Sequence, residues 1–138
     1  VRGSVGGGAI KRDSPAAIAD RNSSKPVANP ALSPYRSKLE AAFARCLEFD
    51  RLAGLIKGWS YERVRFILPG EKNTYKPDFC VWGYADDPRP VFYEVKGFNK
   101  SDERSLVKQK TAAGLNPWAK FVLMKRQRGT WIERIIEP

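Results

Sequence analysis

Leu39, Phe43, Cys46 and Leu47 recur at steps of three and four residues, the period of one helix face. Ser33-Pro34 upstream offers an N-cap followed by a proline suited to the first helical turn, and Gly54 downstream offers a C-cap. A helix is therefore predicted over about 34–53. The period then drops to two. In YERVRFIL (61–68), Val64, Phe66 and Leu68 alternate with polar positions until Pro69-Gly70 ends the run. Two more strands are predicted near 78–84 and 90–96, with ADDPRP as the turn between them. A polar-rich helix follows over about 101–114, stopped near Gly114 and Pro117. KFVLMK (120–125) and TWIERII (130–136) read as short strands around an Arg-Gln-Arg-Gly turn. The predicted order is α-βββ-α-ββ, an α/β fold with a mixed central β-sheet and flanking helices. Residues 1–32 are rich in Gly, Ser, Ala and Pro with scattered basic residues. They are expected to form a flexible basic tail ahead of one folded domain, 33–138.

Composition narrows what such a domain can do. With 138 residues, 42% of them hydrophobic, the chain can bury one core, and no apolar run approaches the roughly 20 residues of a membrane span. The start VRGSVGGG has no apolar stretch and does not read as a signal peptide, so a cytoplasmic location without membrane contact is expected. Cys46 and Cys80 lie far apart within apolar patterns and read as reduced core residues rather than a disulfide. There is no histidine, which excludes Ser-His-Asp and Cys-His catalysis and most zinc sites. Any catalysis falls to carboxylates, Lys, Tyr or Ser, with a hard cation held by oxygen ligands. The net charge of +10 points to a polyanionic partner, nucleic acid ahead of a membrane surface.

Against that background three charged residues stand out inside the predicted strands. Asp78 and Glu94 are centred on position 86, within the ADDPRP turn. A hairpin with that centre puts them directly opposite each other, with Cβ atoms about 4.5–5.5 Å apart. Two carboxylates so placed repel, and a divalent cation between them turns repulsion into coordination. Lys96, two residues after Glu94, shares its face, while Val95 points into the core with Val91 and Tyr93. Gly97 leaves room for close approach. A plainer reading exists for each residue: Asp78 as a turn residue, and Glu94 with Lys96 as a surface ion pair worth under about 1 kcal/mol.

Pro77-Asp78 followed by Glu94-Val95-Lys96 resembles the PD-(D/E)xK nuclease superfamily. The preceding helix adds Ser37-Lys38-Leu39-Glu40, similar to the S-x-x-E of many members. Thr74-Tyr75-Lys76-Pro77-Asp78-Phe79 and Glu94-Val95-Lys96-Gly97 look most like small phage-type nucleases, including Holliday-junction resolvases of the endonuclease I kind. The likeness covers roughly 35–125. It implies a restriction-endonuclease-like core and a Mg²⁺-dependent endonuclease acting on DNA, with branched DNA as one substrate form and Mn²⁺ as a substitute ion. It further implies that Asp78, Glu94 and the Val95 carbonyl hold the ion, that Glu40 completes the site or helps hold a second ion, and that Lys96 positions the attacking water. A homodimer in a host cytoplasm is expected by the same analogy. Glu40 keeps a second reading, because Ser37-x-x-Glu40 is also a capping box; on a helix wheel it lies about 20° beyond Leu47, at the border of the apolar face.

Candidate phosphate contacts flank these residues. Lys72 and Lys76 precede Asp78, and Lys100, Arg104, Lys108 and Lys110 follow Lys96. Arg63 and Arg65 share one side of their strand, and Lys125, Arg126 and Arg128 crowd the last turn. In related nucleases a Lys or Gln on the second helix approaches the centre, which singles out Lys108 and Gln109. The four tryptophans, Trp59, Trp82, Trp118 and Trp131, read as core more than as base-stacking platforms. The rival to an enzyme is a non-catalytic nucleic-acid-binding protein on the same fold.

Overall fold

The computed structural model describes residues 10–12, 33–98 and 103–138. Its frame is a six-stranded mixed sheet with two helices. The strands are β1 (Ile10–Arg12), β2 (Gly58–Tyr61), β5 (Phe79–Trp82), β6 (Val91–Gly97), β7 (Lys120–Gln127) and β8 (Thr130–Ile135), arranged β1-β8-β7-β6-β5-β2. A separate two-stranded ribbon pairs β3 (Phe66–Ile67) with β4 (Thr74–Tyr75). All pairings are antiparallel except β6 with β7, which are parallel and joined through helix α2 (Glu103–Leu115). Helix α1 (Lys38–Leu52) precedes β2.

Each face of the sheet carries its own apolar cluster. Phe43 of α1 is the hub of one, with ring centroids 5.2 Å from Phe79, 5.1 Å from Tyr93 and 5.2 Å from Trp131. Val81, Val91, Val95, Val122 and Met124 complete that cluster from the sheet. On the other face Ala112 and Ala113 let α2 lie close over Phe92, Phe121 and Leu123, with Phe66 and Tyr75 of the ribbon at the margin. Alternation along β6 follows from this: Val91, Tyr93 and Val95 are buried under α1, and Phe92 faces α2.

Several expectations need correction. The first helix starts at Lys38, not at Pro34; Ser37 is its N-cap and accepts the Glu40 N–H at 3.0 Å. The Ser37 side chain satisfies a helix-end donor, whereas the expected cap, Ser33, only accepts the Tyr35 N–H two residues on, at 3.2 Å. The expected strand 61–68 is split. Glu62 adopts a left-handed φ of 50°, ending β2, and Phe66–Ile67 pairs instead with Thr74–Tyr75. Its inward alternation survives, since Phe66 and Leu68 are buried and Ile67 is exposed. Ile10–Arg12, expected in the tail, pairs with β8; the remainder of 1–32 lies outside the described residues, as does the start of the second helix at 101–102. Trp131 is in the core and Trp59 packs against it, but Trp82 and Trp118 are about half exposed. Neither cysteine is in a disulfide, and burial pushes the Cys80 thiol up to about 11.

Two glycines differ in what they carry. Gly54 (φ 79°) follows α1 in a Schellman-type ending, donating to the Arg51 carbonyl at 3.1 Å while Leu55 donates to Asp50 at 2.9 Å. A Cβ there would meet open space. Gly83 (φ 85°) follows β5, and a Cβ would lie 2.4 Å from the Lys57 Cβ and 2.8 Å from its backbone nitrogen. Gly54→Ala should cost about 1 kcal/mol from the left-handed φ alone, and Gly83→Ala clearly more, about 2–4 kcal/mol, in urea unfolding. Equal midpoints for the two variants would contradict this packing.

Candidate active site

β5 and β6 pair as Phe79 with Tyr93, Cys80 with Phe92 and Val81 with Val91. One step further along the same register, just before β5 begins, Asp78 stands opposite Glu94. Asp78 is 4% exposed, and its Oδ2 accepts the Val95 N–H at 2.9 Å. The carboxylate thus takes a strand donor at the point where β5 has not yet begun and β6 continues. Glu94 faces the α2 side, where its Oε1 accepts from the Tyr75 hydroxyl at 2.9 Å. The Lys96 Nζ lies 3.8 Å from Glu94 Oε2, with only about a fifth of its side chain exposed. That depth separates the pair from an ordinary solvated strand face.

Glu40 reaches this end of the sheet from the first turn of α1. Its Oε1 accepts from the Tyr61 hydroxyl at 2.6 Å and from the Arg36 N–H at 3.0 Å. The second half of the capping box therefore falls on Arg36 rather than Ser37. The Glu40 charge still bears on both strand carboxylates, raising each. Burial, then the neighbouring Glu94, pushes Asp78 up to about 7, against the pull of the Val95 N–H. Burial also raises Glu94, although Tyr75 and Lys96 oppose it. Desolvation pushes Tyr61 up to about 12, and burial raises Tyr75 well above the usual phenol range.

Four partners of these groups escaped the sequence reading: Arg36, Tyr61, Glu62 and Tyr75. Glu62 donates its backbone N–H to the Asp78 carbonyl at 2.8 Å, and its carboxylate pairs with the Arg36 guanidinium and, at 3.8 Å, with Lys76. The left-handed Glu62 thus fixes the backbone of Asp78 from behind. Lys76, expected at phosphate, is held by this carboxylate. Lys108 donates to the Thr74 carbonyl at 2.9 Å, tying α2 to the ribbon, and Gln109 is buried with its amide donating to Ser105. Arg63, Arg65, Lys72, Arg104 and Lys110 are exposed, while Lys100 lies outside the described residues. A Cβ on Gly97 would meet nothing within 4 Å, so the protein's own packing does not require glycine there.

The donor chemistry suits a hard cation: Asp78 and Glu94 offer oxygens only, and each is driven toward its protonated form when no counter-charge is present. Among the described residues, however, no group of three or more Cys, Asp or Glu side chains forms a ready-made metal cluster. Glu40 is turned to Tyr61, so further ligands would come from backbone or solvent.

No protein-family model matches the chain, and no solved structure matches it. Over 70 residues, 51% of this chain, it is 31% identical to Endonuclease I of Escherichia phage T7. The chain covers 41% of that protein's length. This likeness supports a nuclease-like relationship for a mixed α/β protein. No helix among the described residues is long and apolar enough to cross a membrane.

The raised Asp78 fixes the sign of a pH effect. Its folded value of about 7 exceeds the unfolded value of about 3.9. Its stabilising contribution is therefore complete below pH ~4 and is lost as pH rises through about 7, with Glu94 acting in the same direction. In EDTA the protein should lose roughly 2–4 kcal/mol across this window. Asp78→Asn should remove most of that slope in thermal unfolding followed from pH 4 to 8. A parent protein whose stability rises through the window would contradict the burial of this carboxylate.

Proposed function

We propose that this protein is a Mg²⁺-dependent endonuclease that hydrolyses DNA phosphodiester bonds at a PD-(D/E)xK site. The observation that carries this reading is the buried Asp78 directly opposed to a partly buried Glu94, with the Lys96 ammonium 3.8 Å from Glu94. Likeness to a phage endonuclease and the net charge of +10 support it. Asp78, Glu94 and the Val95 carbonyl would hold Mg²⁺, or Mn²⁺ in its place, with solvent oxygens filling the remaining positions and Glu40, held by Tyr61, adding negative charge beside them. Bound there, the cation supplies Lewis-acid stabilisation of charge on the phosphate.

The protein's own groups have separable tasks. The Val95 N–H and the backbone of Glu62 hold Asp78 in place. Tyr75 holds Glu94. Lys96 orients the attacking water for in-line displacement and offsets the negative charge that grows on the phosphorus oxygens. Exposed Arg63, Arg65, Lys72, Arg104 and Lys110 supply backbone affinity that weakens with salt. Branched DNA is the proposed substrate form, cut by a homodimer because two symmetric strands need two centres. A host cytoplasm is the matching location.

The test is cleavage of plasmid and of a synthetic four-way junction, with Mg²⁺ or with EDTA. Cutting is expected in Mg²⁺ alone. Glu94→Gln and Lys96→Met should each lower the rate at least about 100-fold while the protein stays folded. Variants that cut as fast as the parent would refute the site. Tight binding without cutting in Mg²⁺ or Mn²⁺ would favour the non-catalytic nucleic-acid-binding alternative.

A further inference from the structure

The basic residues of the last turn, alike in sequence, are sorted by the sheet. β6 and β7 run parallel with Glu94 beside Leu123, Lys96 beside Lys125 and Gly97 beside Arg126. Neighbours in a parallel ladder project from the same face, with strands about 4.8 Å apart. Lys125 therefore stands next to Lys96 on the α2 side, one step beyond the buried Leu123 that walls Glu94. Arg126 points the other way, its guanidinium 4.9 Å from the centre of the Trp131 ring. Arg128 is at the hairpin tip, exposed, with a left-handed φ of 52°.

Two ammonium groups on adjacent strands repel, as two carboxylates do. Lys96 is offset by Glu94. Lys125 is half-buried, and no carboxylate among the described residues pairs with it. Half-burying a charge without a partner costs free energy that an incoming anion restores. On this face the anion that the proposed reaction brings is a phosphate of the nucleic-acid backbone.

We propose that Lys125 is a substrate-binding residue that takes a backbone phosphate next to the scissile one, beside Lys96. This rests on the nuclease reading of the Asp78–Glu94–Lys96 site. Lys125 touches substrate but no reacting atom, so its loss affects binding and leaves the chemical step intact. Lys96 has the opposite profile.

The test uses steady-state cleavage of a fluorescein-labelled four-way junction in Mg²⁺ at several salt concentrations. Lys125→Met keeps the apolar stem and removes the charge. It should raise KM about tenfold with kcat within twofold, and should flatten the salt dependence of kcat/KM by about one phosphate contact. Lys125→Arg should restore KM to within about threefold. Lys57→Met, exposed beside Gly83 at the opposite end of β5, removes the same charge and should leave KM unchanged. Thermal unfolding checks that Lys125→Met is folded; a fall in kcat with unchanged KM would make the role structural and overturn the proposal. If the parent cuts and Lys125→Met matches it in KM and salt slope, the proposal alone falls. If the parent neither binds nor cuts the junction, the nuclease reading falls and takes the proposal with it.

Discussion

Everything at the candidate site depends on the register between β5 and β6. That pairing sets a buried Asp78 against Glu94 and lets the Asp78 carboxylate take the Val95 N–H. The arrangement is costly as pure structure, because burial and mutual repulsion disfavour two ionised groups. It is held by what lies behind it. Phe79, Val81, Tyr93 and Val95 anchor the same strands under α1, and Phe43 meets three of the sheet's aromatic rings at once. The apolar face of the hairpin thus stabilises the geometry that its charged face would resist.

A second layer steadies the carboxylates from outside the hairpin. Tyr75 comes from the ribbon, Tyr61 from the edge strand β2, and Glu62 from the residue after it. Each brings one hydrogen bond to a different part of the site: Glu94, Glu40 and the Asp78 carbonyl. Phenol groups suit this task, since they donate to a carboxylate without adding charge. Their own raised pKa values keep them in the donating form across the whole neutral range.

How much of this was legible in the sequence follows from how local each determinant is. The opposition of Asp78 and Glu94 was readable because an antiparallel hairpin has one centre, and ADDPRP marked it. The two-residue step to Lys96 was readable because strand period is fixed. Mixed α/β character and the first helix were readable from periodicity, with that helix displaced at its start by the choice between Pro34 and Ser37, and the second helix from the stop signals at Gly114 and Pro117. Arg36, Tyr61, Glu62 and Tyr75 were not. Their placement depends on a left-handed glutamate, a conformation that sequence assigns to Gly or Asn first, and on a ribbon that split an alternating run in two. The position of Lys125 was hidden for another reason. A parallel crossover through α2 leaves the register of β7 against β6 undetermined by spacing, whereas the hairpin turn before β8 says nothing about β6.

The placement of β6 in the middle of the sheet, with β7 and β8 to one side and β5 and β2 to the other, has a consequence for how this chain can vary in length. One residue added or lost between Phe92 and Glu94 would turn Glu94 and Lys96 into the apolar layer under α1 and bring Val95 out. Both flanking ladders would oppose that rotation. The turn at 85–90 has no such tie to the chemistry, because lengthening it leaves both strands in place. Divergence in chain length should therefore collect in that turn and leave Glu94-Val95-Lys96 at constant spacing.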